Sequence, residues 1–174
     1  MSEVIPIAAN FNIVIYSRDI IDPDKLLRIV RDKGFAPAIK QIESIRNWEY
    51  EDSRTLTIQG MLTDPLTALL EKGRIILIQG EVKRNRFVVL LSKSEEVYET
   101  RISIDTRHID YLDDALNERN QPFYDALSNL LLSSELSNDF LVAALGVEVV
   151  VDYHTDPNKM MRNSHNVVKW IFNT

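Results

Sequence analysis

Alternating hydrophobic and polar positions in the first half of the chain predict strands separated by two helices. Residues 11–17 (FNIVIYS) and 54–61 (RTLTIQGM) have the β-branched, alternating pattern of half-buried strands. Residues 38–45 fit a strand or a helix equally well, and we assign them to a strand. Residues 75–79 form a fourth predicted strand. The predicted order over this part of the chain is therefore β-α-β-β-α-β.

The two helices carry the same end signals, Asp-Pro at the start and Lys-Gly at the end. These signals are Asp22-Pro23 with Lys33-Gly34, and Asp64-Pro65 with Lys72-Gly73. Asp accepts hydrogen bonds from first-turn N–H groups, and Pro at the first helical position has no N–H to satisfy. Lys favours the negative end of the helix dipole, and Gly adopts the left-handed backbone that ends many helices. Two strand-helix-strand units in tandem follow.

The second half of the chain adds strands and then a mainly helical section. Residues 82–91 and 97–105 predict two more strands, which extend the sheet as a meander over about 81–105. The pattern over about 109–145 is helical, with a break at Pro122 and a further helix that Ser137 caps.

The last segment predicts a strand, a short helix and a closing strand. Residues 147–153 (VEVVVDY) are rich in β-branched side chains, and Asp156-Pro157 repeats the helix-start signal. Residues 167–172 fit either a helix end or a strand, and their valines and aromatics favour a strand.

These elements predict an α+β fold. We expect a mixed or antiparallel sheet of the ferredoxin-like β-α-β-β-α-β pattern over about 11–80, with additional strands and a helical section after residue 108. No linker is long enough to separate domains, so residues 1–174 are expected to form one compact domain.

Composition removes several function classes. The absence of cysteine excludes disulfides, thiolate metal sites and cysteine nucleophiles. Five ungrouped glycines form no phosphate-binding loop of the P-loop or dinucleotide type, which argues against nucleotide hydrolysis. The N-terminus has no basic segment before its short apolar run, and no segment is long enough to cross a bilayer. We expect a cytoplasmic protein without membrane contact.

Negative charge is concentrated in one part of the chain. Residues 94–156 carry 14 Asp and Glu against 3 Lys and Arg, whereas the whole chain has a net charge of −6. Phosphate would be repelled by this section, which argues against nucleic acid as its ligand. The local basic region around Lys83 to Arg86 lacks the aromatics of a nucleic-acid-binding sheet, and it fits a protected sheet edge. A basic protein partner is the favoured alternative to a merely solubilising surface.

Two clusters carry side chains that could perform chemistry. Asp105 and His108 stand at a predicted strand end, where a divalent ion could bind, but Asp110 equally fits a helix cap. His154 and His165 flank the last predicted helix, and no His pair has the spacing of a zinc site. We therefore assign no catalytic residue and no cofactor.

The leading hypothesis is a non-enzymatic interaction module, such as an inhibitor or an immunity-type protein, whose acidic surface binds a basic protein. The predicted partner-binding residues lie in the acidic section and are Asp105, Asp110, Asp113, Asp114, Glu118 and Asp125. The alternatives are a small-molecule-sensing regulatory domain, which a homodimer would suit, and a metal-dependent hydrolase built on Asp105 and His108.

Overall fold

The described part of the chain forms an α+β structure of eight strands and four helices. The computed structural model describes residues 9–32, 38–47, 49, 51–56, 63–82, 85–106, 113, 115–133 and 140–173. The strands are β1 (Asn10–Ser17), β2 (Ala38–Ile45), β3 (Arg54–Thr55), β4 (Ile75–Val82), β5 (Asn85–Ser94), β6 (Val97–Asp105), β7 (Phe140–Val147) and β8 (Lys169–Phe172). The helices are α1 (Pro23–Asp32), α2 (Thr63–Glu71), α3 (Gln121–Ser133) and α4 (Pro157–Asn163).

All eight strands belong to one antiparallel sheet in the order β3-β2-β4-β5-β6-β1-β7-β8. The predicted meander is confirmed, because β4, β5 and β6 pair consecutively. The ferredoxin-like pattern is not confirmed. In this sheet β1 pairs with β6 and β7, and three strands separate it from β2. The α+β class is thus confirmed, while the strand order differs from the one that the β-α-β-β-α-β sequence suggested.

Local end signals place two of the helices as predicted. The side chain of Asp22 accepts a hydrogen bond of 2.9 Å from the N–H of Asp24 at the start of α1. Asp156 caps α4 in the same way, through the N–H of Asn158 at 2.9 Å. The prediction for α2 is correct at its end, where Gly73 has a φ of 74°, but the helix already begins at Thr63. Lys33 and Gly34 lie outside the described residues.

The main core lies between one face of the sheet and helices α1, α2 and α3. Alternate β1 residues such as Phe11 and Ile15 point to this face and contact helical side chains that include Tyr124. The opposite face, called the second face below, carries the other β1 residues, among them Val14 and Tyr16. Met160 of α4 packs there and is 2% exposed. Among the described residues, no helix is both long and apolar enough to cross a membrane.

The prediction of a helix after Ser137 is wrong, because residues 140–147 form strand β7. This segment (FLVAALGV) pairs with β1 on one side and with β8 on the other. Its interior residues are buried on both faces of the sheet, so the usual alternation of polar and apolar residues is missing. Leu and Ala favour helices when considered alone, and burial between two strands overrides that preference. The closing strand is confirmed as β8.

Two further predictions about the second half are also wrong. The segment predicted as a strand at 147–153 has no ladder after Val147, and its one bridge joins Val150 to His165. Glu148 adopts a positive φ of 52°, which turns the chain away from the sheet. The described residues of 113–120 form bends, turns and irregular structure rather than a helix. Of the two helices predicted around Pro122, the described residues contain one, which is α3. The stretch 57–61 of the predicted third strand lies outside the described residues.

Candidate functional site

Neighbouring strands bring four side chains into one row on the second face. Tyr16 of β1 is paired with Glu99 of β6 on one side and with Val142 of β7 on the other, and Val142 is paired with Phe172 of β8. Adjacent strands lie about 4.8 Å apart, so the row spans about 14 Å from Glu99 to Phe172. One end of the row is acidic and the other is apolar.

The segment 151–155 crosses this row and divides the space above it. The ring of Tyr153 lies over that of Tyr16, with 4.6 Å between the ring centroids. Val149, two residues before this segment, is fixed at both backbone groups. Its N–H donates to Asn12 Oδ1 at 2.9 Å, and its carbonyl accepts from Arg101 Nη1 at 2.7 Å. Long-range hydrogen bonds to the sheet therefore hold a segment that forms no strand itself.

The turn between β5 and β6 places two carboxylates above the acidic end of the row. Ser94 pairs with Val97, so Glu95 and Glu96 form a two-residue hairpin loop. Glu95 has a φ of 34°, which lies in the region that glycine or asparagine adopts more easily. Both glutamates are exposed. A strained, exposed carboxylate at this position is compatible with a binding role.

Two hollows lie on either side of the 153–155 segment, and together we call them the groove. The acidic hollow has a volume of about 550 Å³, and its carboxylates are those of Glu95, Glu96, Glu99 and Asp152. The apolar hollow has a volume of about 570 Å³, and its apolar lining includes Val97, Leu141, Val142, Met160 and Phe172. Arg18 and Glu96 also line the apolar hollow.

Tyr16, Glu99 and Arg101 form a polar network beside the acidic hollow. The hydroxyl of Tyr16 donates to Glu99 Oε2 at 3.0 Å, and Arg101 Nε lies 3.1 Å from Glu99 Oε1. Burial, reinforced by the negative charge of Glu99, raises the pKa of Tyr16 far above its ordinary value of 10.0. The phenol is therefore a neutral hydrogen-bond donor to Glu99.

His154 stands at the wall shared by the two hollows. Its Nδ1 accepts a hydrogen bond of 2.9 Å from the N–H of Asp156. In the neutral imidazole the proton must therefore be on Nε2, so the ring offers a donor. The second histidine of the predicted cluster, His165, forms a backbone bridge with Val150. Among the described residues, no three His, Asp or Glu side chains are grouped so that they could hold a metal ion.

Of the six predicted partner-binding residues, the four that the structure describes do not line the groove. Asp105 is at the far end of β6 from Glu99 and is 5% exposed, so its side chain is internal. Asp113 and Glu118 are exposed, and Asp113 accepts a hydrogen bond from Asn117. Asp125 pairs with Lys169 across 3.2 Å. Asp110, Asp114 and the metal candidate His108 lie outside the described residues.

Sequence reasoning identified the acidic section but did not select the carboxylates of the groove. Glu95, Glu96, Glu99 and Asp152 all belong to the acidic stretch 94–156. The adjacent Glu95-Glu96 pair between two predicted strands was the available local signal, since a two-residue hairpin loop is exposed. The register that joins Glu99 to Tyr16, 83 residues earlier in the chain, had no such signal.

Comparison with known proteins adds no relative to this description. No protein-family model, no curated protein and no solved structure matches the chain.

Proposed function

We propose that the chain is a non-enzymatic protein-interaction module that binds a basic protein partner through an acidic surface, as an inhibitor or an immunity-type protein does. The observation that carries this proposal is the groove, in which four acidic residues line one hollow. Among the described residues that line the two hollows, Arg18 is the one Lys or Arg side chain. An adjoining apolar hollow supplies surface that can be buried on binding.

The groove suits recognition of a basic surface for two physical reasons. Exposed carboxylates such as Glu95 and Glu96 attract a basic protein over about one Debye length, roughly 8 Å at physiological salt, and so increase its association rate. Glu99 is held in place by Tyr16 and Arg101, so its charge needs little reorganisation on binding. Electrostatics would thus select the partner, and apolar contacts would slow its dissociation.

The sequence-predicted surface remains a second region for the same activity. Asp113 and Glu118 are exposed and could contact a basic protein, whereas Asp105 would act only by supporting its neighbours. To bind a basic partner, Asp125 would have to replace its ion pair with Lys169 by a contact with that partner. Glu99 and Asp105 lie toward opposite ends of β6, and neither Asp113 nor Glu118 lines the groove, so separate variants can distinguish the two regions.

Two charge-matched variants test the proposal. The Glu95→Lys/Glu96→Lys and Asp113→Lys/Glu118→Lys proteins undergo the same change in net charge. The tagged wild-type protein and both variants capture partners from native lysate at low and moderate salt, with mass spectrometry as the readout. We expect one basic protein that binds the wild type, is released by salt and is lost with the groove variant.

The other outcomes are equally decisive. Loss with the Asp113/Glu118 variant alone would move the binding surface to the sequence-predicted residues. Equal capture by all three proteins would contradict binding through either acidic surface.

A small-molecule-sensing regulatory domain is the second candidate, because each hollow has the size of a ligand pocket. Volumes of about 550 and 570 Å³ fall within the usual range of about 300–1,000 Å³. A ligand of the folded state raises the melting temperature by mass action. A thermal-shift panel of cationic and apolar metabolites tests this candidate, and the Phe172→Ala protein should lose any shift that arises in the apolar hollow.

A further inference from the structure

We infer that the groove recognises an extended peptide segment of the basic partner, with a Lys or Arg side chain in the acidic hollow and a large apolar side chain in the apolar hollow. This inference rests on the proposed function and adds the chemistry and spacing of the recognised segment. Its basis is the order of the row on the second face, which runs from Glu99 through Tyr16 and Val142 to Phe172.

The acidic hollow has charge and geometry complementary to a cationic side chain. Glu95 and Glu96 line it from the hairpin loop, while Glu99 and Asp152 line it from the sheet and from the crossing segment. Asp152 is oriented by Asn163, whose Nδ2 donates to its Oδ2 at 3.1 Å. The half-buried ring of Tyr153, which covers that of Tyr16, offers a surface for the aliphatic part of the same side chain.

The apolar hollow can bury a side chain such as Leu or Phe. Phe172 is 37% exposed, which is unusual for a large aromatic, and it lines this hollow. Its ring stacks on that of Trp170 with 6.0 Å between the centroids. Stacking on Trp170 holds the Phe172 ring in place, so this part of the apolar wall loses little conformational freedom when covered.

The length of the row that joins the two hollows sets the spacing of the peptide. The row spans three strand spacings, or about 14 Å, between Glu99 and Phe172. An extended peptide rises about 3.3 Å per residue and places side chains i and i+4 on one face, about 13 Å apart. The recognised segment is therefore a basic residue followed, four positions later, by a large apolar one, or the same pair in reverse order.

Calorimetric titration of the full chain with synthetic peptides tests this spacing. The first peptide carries Arg and, four residues later, Leu, with Ser and Thr at the remaining positions. The second moves Leu to two residues after Arg and keeps composition and charge. The third replaces Arg by Gln, and the fourth replaces Leu by Ala. We expect the first peptide to bind about fivefold or more tightly than each of the others.

Variants of the protein assign each peptide side chain to its hollow. Glu95→Gln should weaken binding of the first peptide about threefold to fivefold and leave the Gln peptide unaffected. Phe172→Ala should weaken the first peptide to a similar degree and leave the Ala peptide unaffected. Glu49→Gln and Leu132→Ala change an exposed carboxylate and an exposed apolar residue that do not line the groove, and they should leave binding of the first peptide unchanged.

Equal affinity for the first two peptides, or no effect of Phe172→Ala, would overturn the inference. If the Glu95→Lys/Glu96→Lys protein still failed to capture the lysate partner, the proposed function would stand although the peptide inference had failed. A concentration-dependent increase in mass that Phe172→Ala abolishes would instead assign the apolar hollow to a second copy of the chain, and it too would overturn the inference.

Discussion

Tyr153 packs on Tyr16 with 4.6 Å between the ring centroids and 32° between the ring planes. This contact attaches a segment outside the sheet to the middle of the second face, and it separates the two hollows. The groove therefore depends on a pair of residues that lie far apart in the sequence.

Replacing Tyr153 by Ala should detach this wall. We expect the free energy of unfolding to fall by about 1–2 kcal/mol, because an aromatic pair and its buried area are lost. Tyr153→Phe keeps the ring and should stay within about 0.5 kcal/mol of the wild type. Urea unfolding measures both values, and amide hydrogen exchange should show faster exchange in 149–155 for the Ala protein alone. Equal exchange in the two proteins would contradict the role of the contact.

Replacing Glu95 by Gly should stabilise the protein and weaken its binding. Glycine adopts the φ of 34° found at this hairpin position without strain, so we expect a gain of about 0.5–1 kcal/mol in unfolding free energy. The same change removes a carboxylate from the acidic hollow and should weaken the Arg-containing peptide. Thermal unfolding and calorimetry measure the two effects. A loss of stability would show that the turn is not strained.

Adding a methyl group at Gly146 should disrupt the attachment of the 164–168 segment to β7. A Cβ atom there would lie 2.2 Å from the carbonyl oxygen of Asn166, and backbone cannot move away as easily as a side chain. We expect Gly146→Ala to cost about 2–3 kcal/mol or more in urea unfolding.

Gly73→Ala provides the matched control for this variant. A Cβ atom at Gly73 meets nothing within 4 Å, and the cost of about 1 kcal/mol comes only from its φ of 74°. An equal loss in the two proteins would contradict a steric origin at Gly146.

The hydrogen bond from Tyr98 to Glu71 should make stability depend on alkaline pH. This bond, together with burial, raises the pKa of Tyr98 to about 12. A raised folded pKa stabilises the protein fully below the unfolded value, about 10, and the contribution is lost as the pH rises from about 10 to 12. Urea unfolding across this window should show a smaller decline for Tyr98→Phe than for the wild type. Parallel declines would exclude this bond as the cause.

The same carboxylate should affect stability at acid pH in the opposite direction. Lys93, at 2.5 Å, and then Tyr98 lower the pKa of Glu71 below its usual range. A lowered folded pKa stabilises the protein above the unfolded value, about 4.3, and the contribution is lost as the pH falls through the folded value. Glu71→Gln should therefore flatten the acid limb of the stability profile. An unchanged acid limb would assign the dependence to other carboxylates, such as Asp52.

Local chemistry explains which elements could be predicted from the sequence. The helix starts at Asp22-Pro23 and Asp156-Pro157 depend on hydrogen bonds within one helical turn, so the residue types alone indicate them. The predicted bounds of strand β6 agree with the structure, because residues that face the main core alternate with others over nine positions. The β4-β5-β6 meander needs only short connections between consecutive strands.

Local residue patterns are sufficient to predict the α+β class, these local elements and the excess of negative charge in residues 94–156. Residues 140–147 form a strand for a reason that lies outside the segment, because burial between β1 and β8 outweighs local helix preference. Packing between distant segments also determines which acidic residues lie close together. The spacing that joins Glu99, Tyr16 and Phe172 is set by pairing between distant strands, and no residue pattern within one segment records that register.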